Sequence, residues 1–342
     1  MKALFLRSRG DLSMDERPIP SPRGGEVLMK VLRCGVCHTD INNRSGLVPR
    51  NSYGFVIGHE FSGEIIAVGD GVSDTKVGDV GISHQIIGCG ICRRCVRGEQ
   101  LQCEHYRELG NGLDGGFAEY CVMPERAFFK LPSNVTLEQG TMVEPLANAV
   151  CALRRAGVNP GDRVVIIGPG PIGIMMVRIA VLMQASMVVL VGTRDSRLEI
   201  GRLFGATHTL NIRSEGAEDF LLNDILGGKG ADVIVDASGS IAGLNTAFKC
   251  AARGSRICLE GSIDPKENIT INPHSFPSNA SFIRVSGWRT VDFRDALSYI
   301  SDRFIDVDPL ITHTLPFVEW EKGFDLATNN KDDAIKVVLS ME

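Results

Sequence analysis

The chain has 342 residues, a length that suits two domains at roughly 100–200 residues each. With 44% hydrophobic and 23% charged residues it can bury true cores, so a disordered tail is excluded. The net charge of -5, spread without long like-charged blocks, offers no basic stripe for a nucleic acid, and no apolar run approaches the roughly 18 residues of a membrane span.

The first apolar run, residues 3–6, ends at Arg7 and Arg9. It is too short for the core of a signal peptide and reads as a first strand, so the cytoplasm is the expected location. Up to about residue 140 the chain is rich in turns, among them Pro18, Pro20, Pro22 and Gly24-Gly25. Short β-rich runs such as residues 26–32 lie between them. That pattern predicts a mainly β domain.

Two segments in this region carry reactive side chains, Cys34-Gly35-Val36-Cys37-His38-Thr39-Asp40 and Gly58-His59-Glu60-Phe61-Ser62-Gly63. Read alone, Cys34 and Cys37 have the spacing of a redox pair, and His59 with Glu60 could be an ordinary satisfied pair.

Cys89, Cys92, Cys95 and Cys103 follow at C-x2-C-x2-C-x7-C spacing. The chain has ten cysteines, and clustering without an export signal points to metal rather than disulfides. Four thiolates with glycines between them suit a tetrahedral zinc ion with no open position. An iron–sulfur cluster is the rival, but the long gap to Cys103 and the missing Cys-Pro argue against it. Cys34, Cys121, Cys151, Cys250 and Cys258 lie in apolar stretches and read as core residues.

Near residue 145 the pattern changes to alternating strands and helices. Residues 163–167, 187–191, 231–235 and 256–259 read as buried strands, and residues 172–183 and 197–204 as helices. This predicts a parallel sheet covered on both faces. Gly168-Pro169-Gly170-Pro171-Ile172-Gly173 sits directly after the first of these strands. Gly168 permits a tight turn, Gly170 a close approach of backbone to a pyrophosphate, and Gly173 close packing of the helix. The helix that opens at Pro171 would turn its free N–H groups, from Ile172 onward, toward the phosphates. At the end of the second strand, where NAD-binding folds place an acidic residue for the ribose, stand Gly192, Thr193 and Arg194. A guanidinium can pair with a 2′-phosphate, which leans toward NADP; Arg194 as a solvated helix-start residue is the alternative. The tail adds a helix near residues 293–301 and a strand near 335–339.

Taken together, these motifs resemble the zinc-containing medium-chain dehydrogenases, in the polyol, sorbitol and threonine dehydrogenase branch. The matching segments are residues 58–63 with Gly69, Cys89 to Cys103, Gly78-Asp79-Val80, residues 115–120 and residues 168–173. The resemblance implies an α/β chain. A GroES-like mainly β catalytic domain would span residues 1–145 and 283–342, with a structural zinc lobe at about 86–106. A Rossmann doubly wound NAD(P) domain would span residues 146–282.

It also implies a catalytic zinc at Cys37 and His59, with Glu60 as an exchangeable or neighbouring ligand. Glu144, in Glu144-Pro145-Leu146, would complete the ligands. Asp40 would hydrogen-bond the far nitrogen of His59, Thr39 would pass on the alcohol proton, and His38 would lie near the cofactor pyrophosphate. Asn42 stands where the family often has a histidine base.

The implied reaction is hydride transfer between NAD(P) and the carbinol carbon of a polyol or sugar-derived secondary alcohol, with two zinc ions per chain. A simple alcohol or L-threonine dehydrogenase is the alternative. A non-catalytic nicotinamide-binding protein with a degenerate zinc site is the reading from another class. A homodimer or homotetramer is expected, with residues 256–259 as a joining strand, and no nucleic-acid or membrane partner.

Overall fold

The computed structural model describes residues 1–46, 53–264, 266–271, 276–329 and 331–342. The chain divides into two units, Met1–Glu144 with Arg289–Glu342, and Pro145–Trp288.

The first unit is built around the strand Glu26–Gly35. Its alternating apolar residues bury Val27, Met29 and Val31 in one core with Leu4, Phe61, Ile65, Phe117 and Phe324. This strand pairs antiparallel with Glu60–Val68, with Tyr120–Pro124 and with Lys336–Ser340. The register sets Cys34 opposite Phe61 and Leu339, and Gly35 opposite Glu60 and Val338. Three segments far apart in sequence therefore meet at one strand end. A separate two-stranded ribbon, Ile86–Ile87 with Arg107–Glu108, flanks the cysteine cluster.

The second unit holds a six-stranded parallel sheet in the order His208–Asn211, Met187–Gly192, Arg163–Ile167, Ala231–Asp236, Ala251–Leu259, Ser281–Arg284. Numbered along the chain this is 3-2-1-4-5-6, the doubly wound dinucleotide-binding order. Val164, Val165, Ile166, Val189, Val191, Ile234 and Val235 are all buried, as strands covered on both faces require. The sequence-based helices are found at Pro171–Leu182 and Asp195–Leu203.

Two expectations shift. The return to the first unit comes at Arg289 rather than residue 283, because Ser281–Arg284 is hydrogen-bonded as the sixth strand of the parallel sheet. Residues 256–259 are the end of a longer strand, Ala251–Leu259, that lies inside the sheet with neighbours on both sides. Its hydrogen-bonding edges are already used, so it cannot join copies edge to edge. Among the described residues, no helix is long and apolar enough to cross a membrane.

Candidate metal centre and cofactor loop

Cys37 precedes the short helix His38–Ser45. Asp40, in the first turn, reaches back with Oδ2 to accept the Cys37 backbone N–H at 3.0 Å, which fixes how the chain enters the helix. His59 and Glu60 lead into the strand Glu60–Val68. The Cys37 sulfur, one His59 ring nitrogen and one Glu60 carboxylate oxygen lie within 4.8 Å of one another, close enough for one ion to touch all three. His59 and Glu60 are buried and Cys37 is half-buried. Gly35 makes the arrangement possible, because a Cβ there would collide with the Glu60 carboxylate.

Asp40 departs from expectation in detail. Its Oδ1 is 3.7 Å from His59 Nδ1, an ion-pair distance and too long for a hydrogen bond. Thr39 is half-buried and His38 exposed on the same helix.

A residue invisible to motif reading completes the centre. Lys336, on the C-terminal strand, is buried and places Nζ 2.6 and 2.8 Å from the two oxygens of Glu60. Burial disfavours the ammonium, but Glu60, Cys37 and Glu144 outweigh it and raise its pKa. The same balance holds at His59. Burial lowers the imidazole, yet Cys37, Asp40 and Glu144 together hold it well above its ordinary value. Burial raises the Cys37 thiol, with His59 acting against it. A sulfur, an imidazole and a carboxylate are thus held together at a largely buried place, a donor set that fits a divalent cation. Glu144 is buried near the start of the helix Val143–Ala156. It acts on His59 and Lys336 but stands outside the 4.8 Å group. Gln85, also absent from the sequence expectations, donates to Glu144 Oε1 at 3.1 Å.

The four sulfurs of Cys89, Cys92, Cys95 and Cys103 also lie within 4.8 Å of one another. Backbone N–H groups of Cys89, Cys92, Cys95 and His105 point at them over 3.4 to 3.5 Å. Such donors stabilise thiolates, as a closed thiolate metal site needs. The other five cysteines named from sequence as core residues are buried.

In the second unit, Gly168 has φ +106, and a Cβ there would lie 2.7 Å from the Ser238 backbone nitrogen. Only glycine permits both the turn and the contact. Gly170 precedes the helix Pro171–Leu182 with Pro171 at its first position, and a Cβ on Gly170 would meet nothing within 4 Å. That open face is where a pyrophosphate would approach the helix N–H groups. Gly173 packs against Gly168, and Ile172 is half-buried beside it. At the end of the second strand Gly192 is buried, and a Cβ on it would lie 2.6 Å from Pro169 Cδ. Any side chain at this strand tip, an acidic one included, would have to displace that proline ring. Thr193 and Arg194 are exposed just beyond it. Asp195, the nearest acid, has Oδ1 engaged by Asn211 Nδ2 at 3.0 Å.

A thiol–imidazole–carboxylate cluster in one unit and a glycine-rich strand-to-helix loop in the other fit a metal-dependent dehydrogenase architecture. Comparison with known proteins agrees. Residues 23–133 match the family described as the alcohol dehydrogenase GroES-like domain, and residues 171–302 the one described as zinc-binding dehydrogenase. The chain is 31% identical over 344 residues to an L-threonine 3-dehydrogenase of Bacillus velezensis, covering 99% of this chain and 98% of that one. It is 29% identical over 344 residues to a sorbitol dehydrogenase of Halalkalibacterium halodurans, covering 99% of each. A putative zinc-binding dehydrogenase from Sinorhizobium meliloti, solved bound to NADP, superposes with a TM-score of 0.91 at 27% identity, covering 99% of this chain and 98% of that one. The chain belongs to the zinc-type medium-chain dehydrogenases.

Proposed function

We propose that this chain catalyses hydride transfer between NAD(P) and the carbinol carbon of a polyol or sugar-derived secondary alcohol. The observation that carries this reading is the buried approach of Cys37, His59 and Glu60 to within 4.8 Å. Cys37 and His59 would hold a zinc ion there, with Glu144 or Glu60 as the acidic ligand. Zinc so held supplies the charge that makes a carbinol acidic near neutral pH, and the nicotinamide takes up the hydride.

The protein's own groups do the rest. Lys336 engages both oxygens of Glu60 and so would compete with a bound ion for that carboxylate. Thr39 offers a hydroxyl two residues from Cys37 to take up the carbinol proton. Asn42 is not a base, so the proton would leave by water or another group. The similarity to both sorbitol and threonine dehydrogenases keeps L-threonine as the alternative substrate. A screen of sugar alcohols, threonine and short alcohols with both cofactors decides between them. Absence of turnover with all of these would favour a non-catalytic dinucleotide-binding protein.

A metal count is the companion test. Two zinc ions per chain are expected, one at the four cysteines and one at Cys37. A single zinc retained by the four cysteines would mean the open centre is degenerate. Cys103→Ser should release the structural ion and lower stability by at least about 2 kcal/mol, or about 4–8 °C in Tm for a unit of this size. An unchanged Tm would remove the stapling role.

Arg194 supports NADP as the preferred cofactor. With Gly192 closed to any acid and Asp195 engaged by Asn211, the guanidinium is the charge left for a 2′-phosphate. Charge-assisted contacts contribute roughly 1.5–3 kcal/mol, so Arg194→Ala should shift the NADP/NAD ratio of kcat/KM by about tenfold or more. A ratio that does not move would remove Arg194 from the phosphate site. The family resemblance also carries the expectation of a homodimer or homotetramer, which light scattering measures directly.

A further inference from the structure

We propose that Gln85 is a positioning residue of the metal centre, fixing the Glu144 carboxylate and coupling it to the base of the four-cysteine lobe through Glu108. The inference rests on the reading of Cys37, His59 and Glu144 as a zinc centre.

Gln85 is buried, and its amide NH2 has two hydrogens and meets two carboxylates. One is Glu144 Oε1 at 3.1 Å and the other Glu108 Oε1 at 3.3 Å. Carboxylates only accept hydrogen bonds, so the NH2 end must be the one that faces them. Glu108 is gripped in turn by Asn111, whose Nδ2 donates to its other oxygen. Glu144 is thus the end of a short chain of polar contacts, Asn111 to Glu108 to Gln85 to Glu144.

The base of that chain is set by the lobe. Gln85 directly precedes Ile86–Ile87, and Glu108 ends Arg107–Glu108. The two strands pair with Ile86 opposite Glu108, and the Leu109 N–H donates to the Gln85 carbonyl at 3.0 Å. A two-stranded ribbon of this length is not stable by itself. Cys89 lies two residues beyond one strand and Cys103 four residues before the other, so the cysteine cluster closes the loop that joins them. The lobe therefore fixes the spacing of Gln85 and Glu108. Glu144 is not a member of the group formed by Cys37, His59 and Glu60, yet acts on His59 and Lys336. Where its carboxylate is held would decide whether it reaches an ion there. Gln85 sets that position, and a hydrogen-bonded partner of a metal-ligating carboxylate typically governs metal affinity by about 10- to 100-fold.

The test is a double-mutant cycle on the zinc-loaded protein with Gln85→Met, Glu144→Gln and both together. Each protein is titrated with dipicolinate, and the chelator concentration that removes the zinc absent from Cys37→Ser is read by metal analysis. Gln85→Met should lower the affinity of that zinc by about tenfold or more, and the double variant should match Glu144→Gln alone. Gln85→Asn keeps a polar side chain in place and only withdraws the NH2; it carries the same test if the methionine variant does not fold. Wild-type affinity in Gln85→Met, or the same loss repeated in the Glu144→Gln background, overturns the proposal. A wild-type protein with no more zinc than Cys37→Ser overturns the reading of the centre, and the inference with it.

Discussion

Cys37→Ser should lower kcat by at least about 1000-fold while leaving dinucleotide affinity within about twofold of wild type. A serine hydroxyl is a far poorer zinc ligand than a thiolate at neutral pH, because it does not ionise there. Without the ion, the several kcal/mol of charge stabilisation it supplies to the reacting oxygen is lost, and each 1.36 kcal/mol is a factor of about ten in rate. The substitution conserves volume at a half-buried position, so the fold should tolerate it. The fingerprint loop at Gly168 to Gly173 belongs to the other unit, which is why cofactor binding should persist. Steady-state kinetics, fluorescence titration with the reduced dinucleotide and a zinc count together check the expectation. Parallel loss of turnover and dinucleotide binding would make Cys37 a structural residue.

Lys336→Met should destabilise the metal-free protein by about 3–5 kcal/mol, the usual consequence of leaving one partner of a buried ion pair alone. Lys336 and Glu60 are each almost fully buried, and the ammonium touches both carboxylate oxygens. Neutralising both, in Lys336→Met with Glu60→Gln, should restore most of the loss, because no charge then remains without a counter-ion. The zinc-loaded single variant should lose less than the metal-free one, since the freed Glu60 can turn to the ion. Its turnover should fall for the same reason, as a further protein ligand fills the position meant for substrate. Urea unfolding with and without zinc measures both effects. Equal destabilisation in the two states would mean that Glu60 and the metal do not compete.

The parts of the protein legible in its sequence are those in which chemistry and spacing are local. Cys89, Cys92, Cys95 and Cys103 fall within one loop, and their spacing alone brings their sulfurs together. The fingerprint was legible because a turn, a close approach and a helix packing each need glycine at a fixed step. Cys37 with His59 became meaningful only through resemblance, since spacing cannot say that two loops meet. Lys336 was out of reach altogether. It is 276 residues from Glu60, and one lysine in a strand-like run looks like any solvated charge until the register of Lys336–Ser340 against Glu26–Gly35 is known. Gln85 was hidden for a related reason, because a buried amide has no composition signature and gains its role from the two acids it faces. The later domain boundary was missed because Ser281–Arg284 is a short strand of mixed polarity, recognisable only by its pairing with Ala251–Leu259.

The contact between Gly192 and Pro169 limits how cofactor preference can be re-engineered. The usual route to an NAD enzyme, planting an aspartate at the tip of the second strand, would drive a side chain into the proline that shapes the phosphate loop. An acid for the ribose must instead be placed one step outward, at Thr193, or both segments rebuilt together. Any substitution that seeks an acid at that strand tip meets the same geometric obstacle.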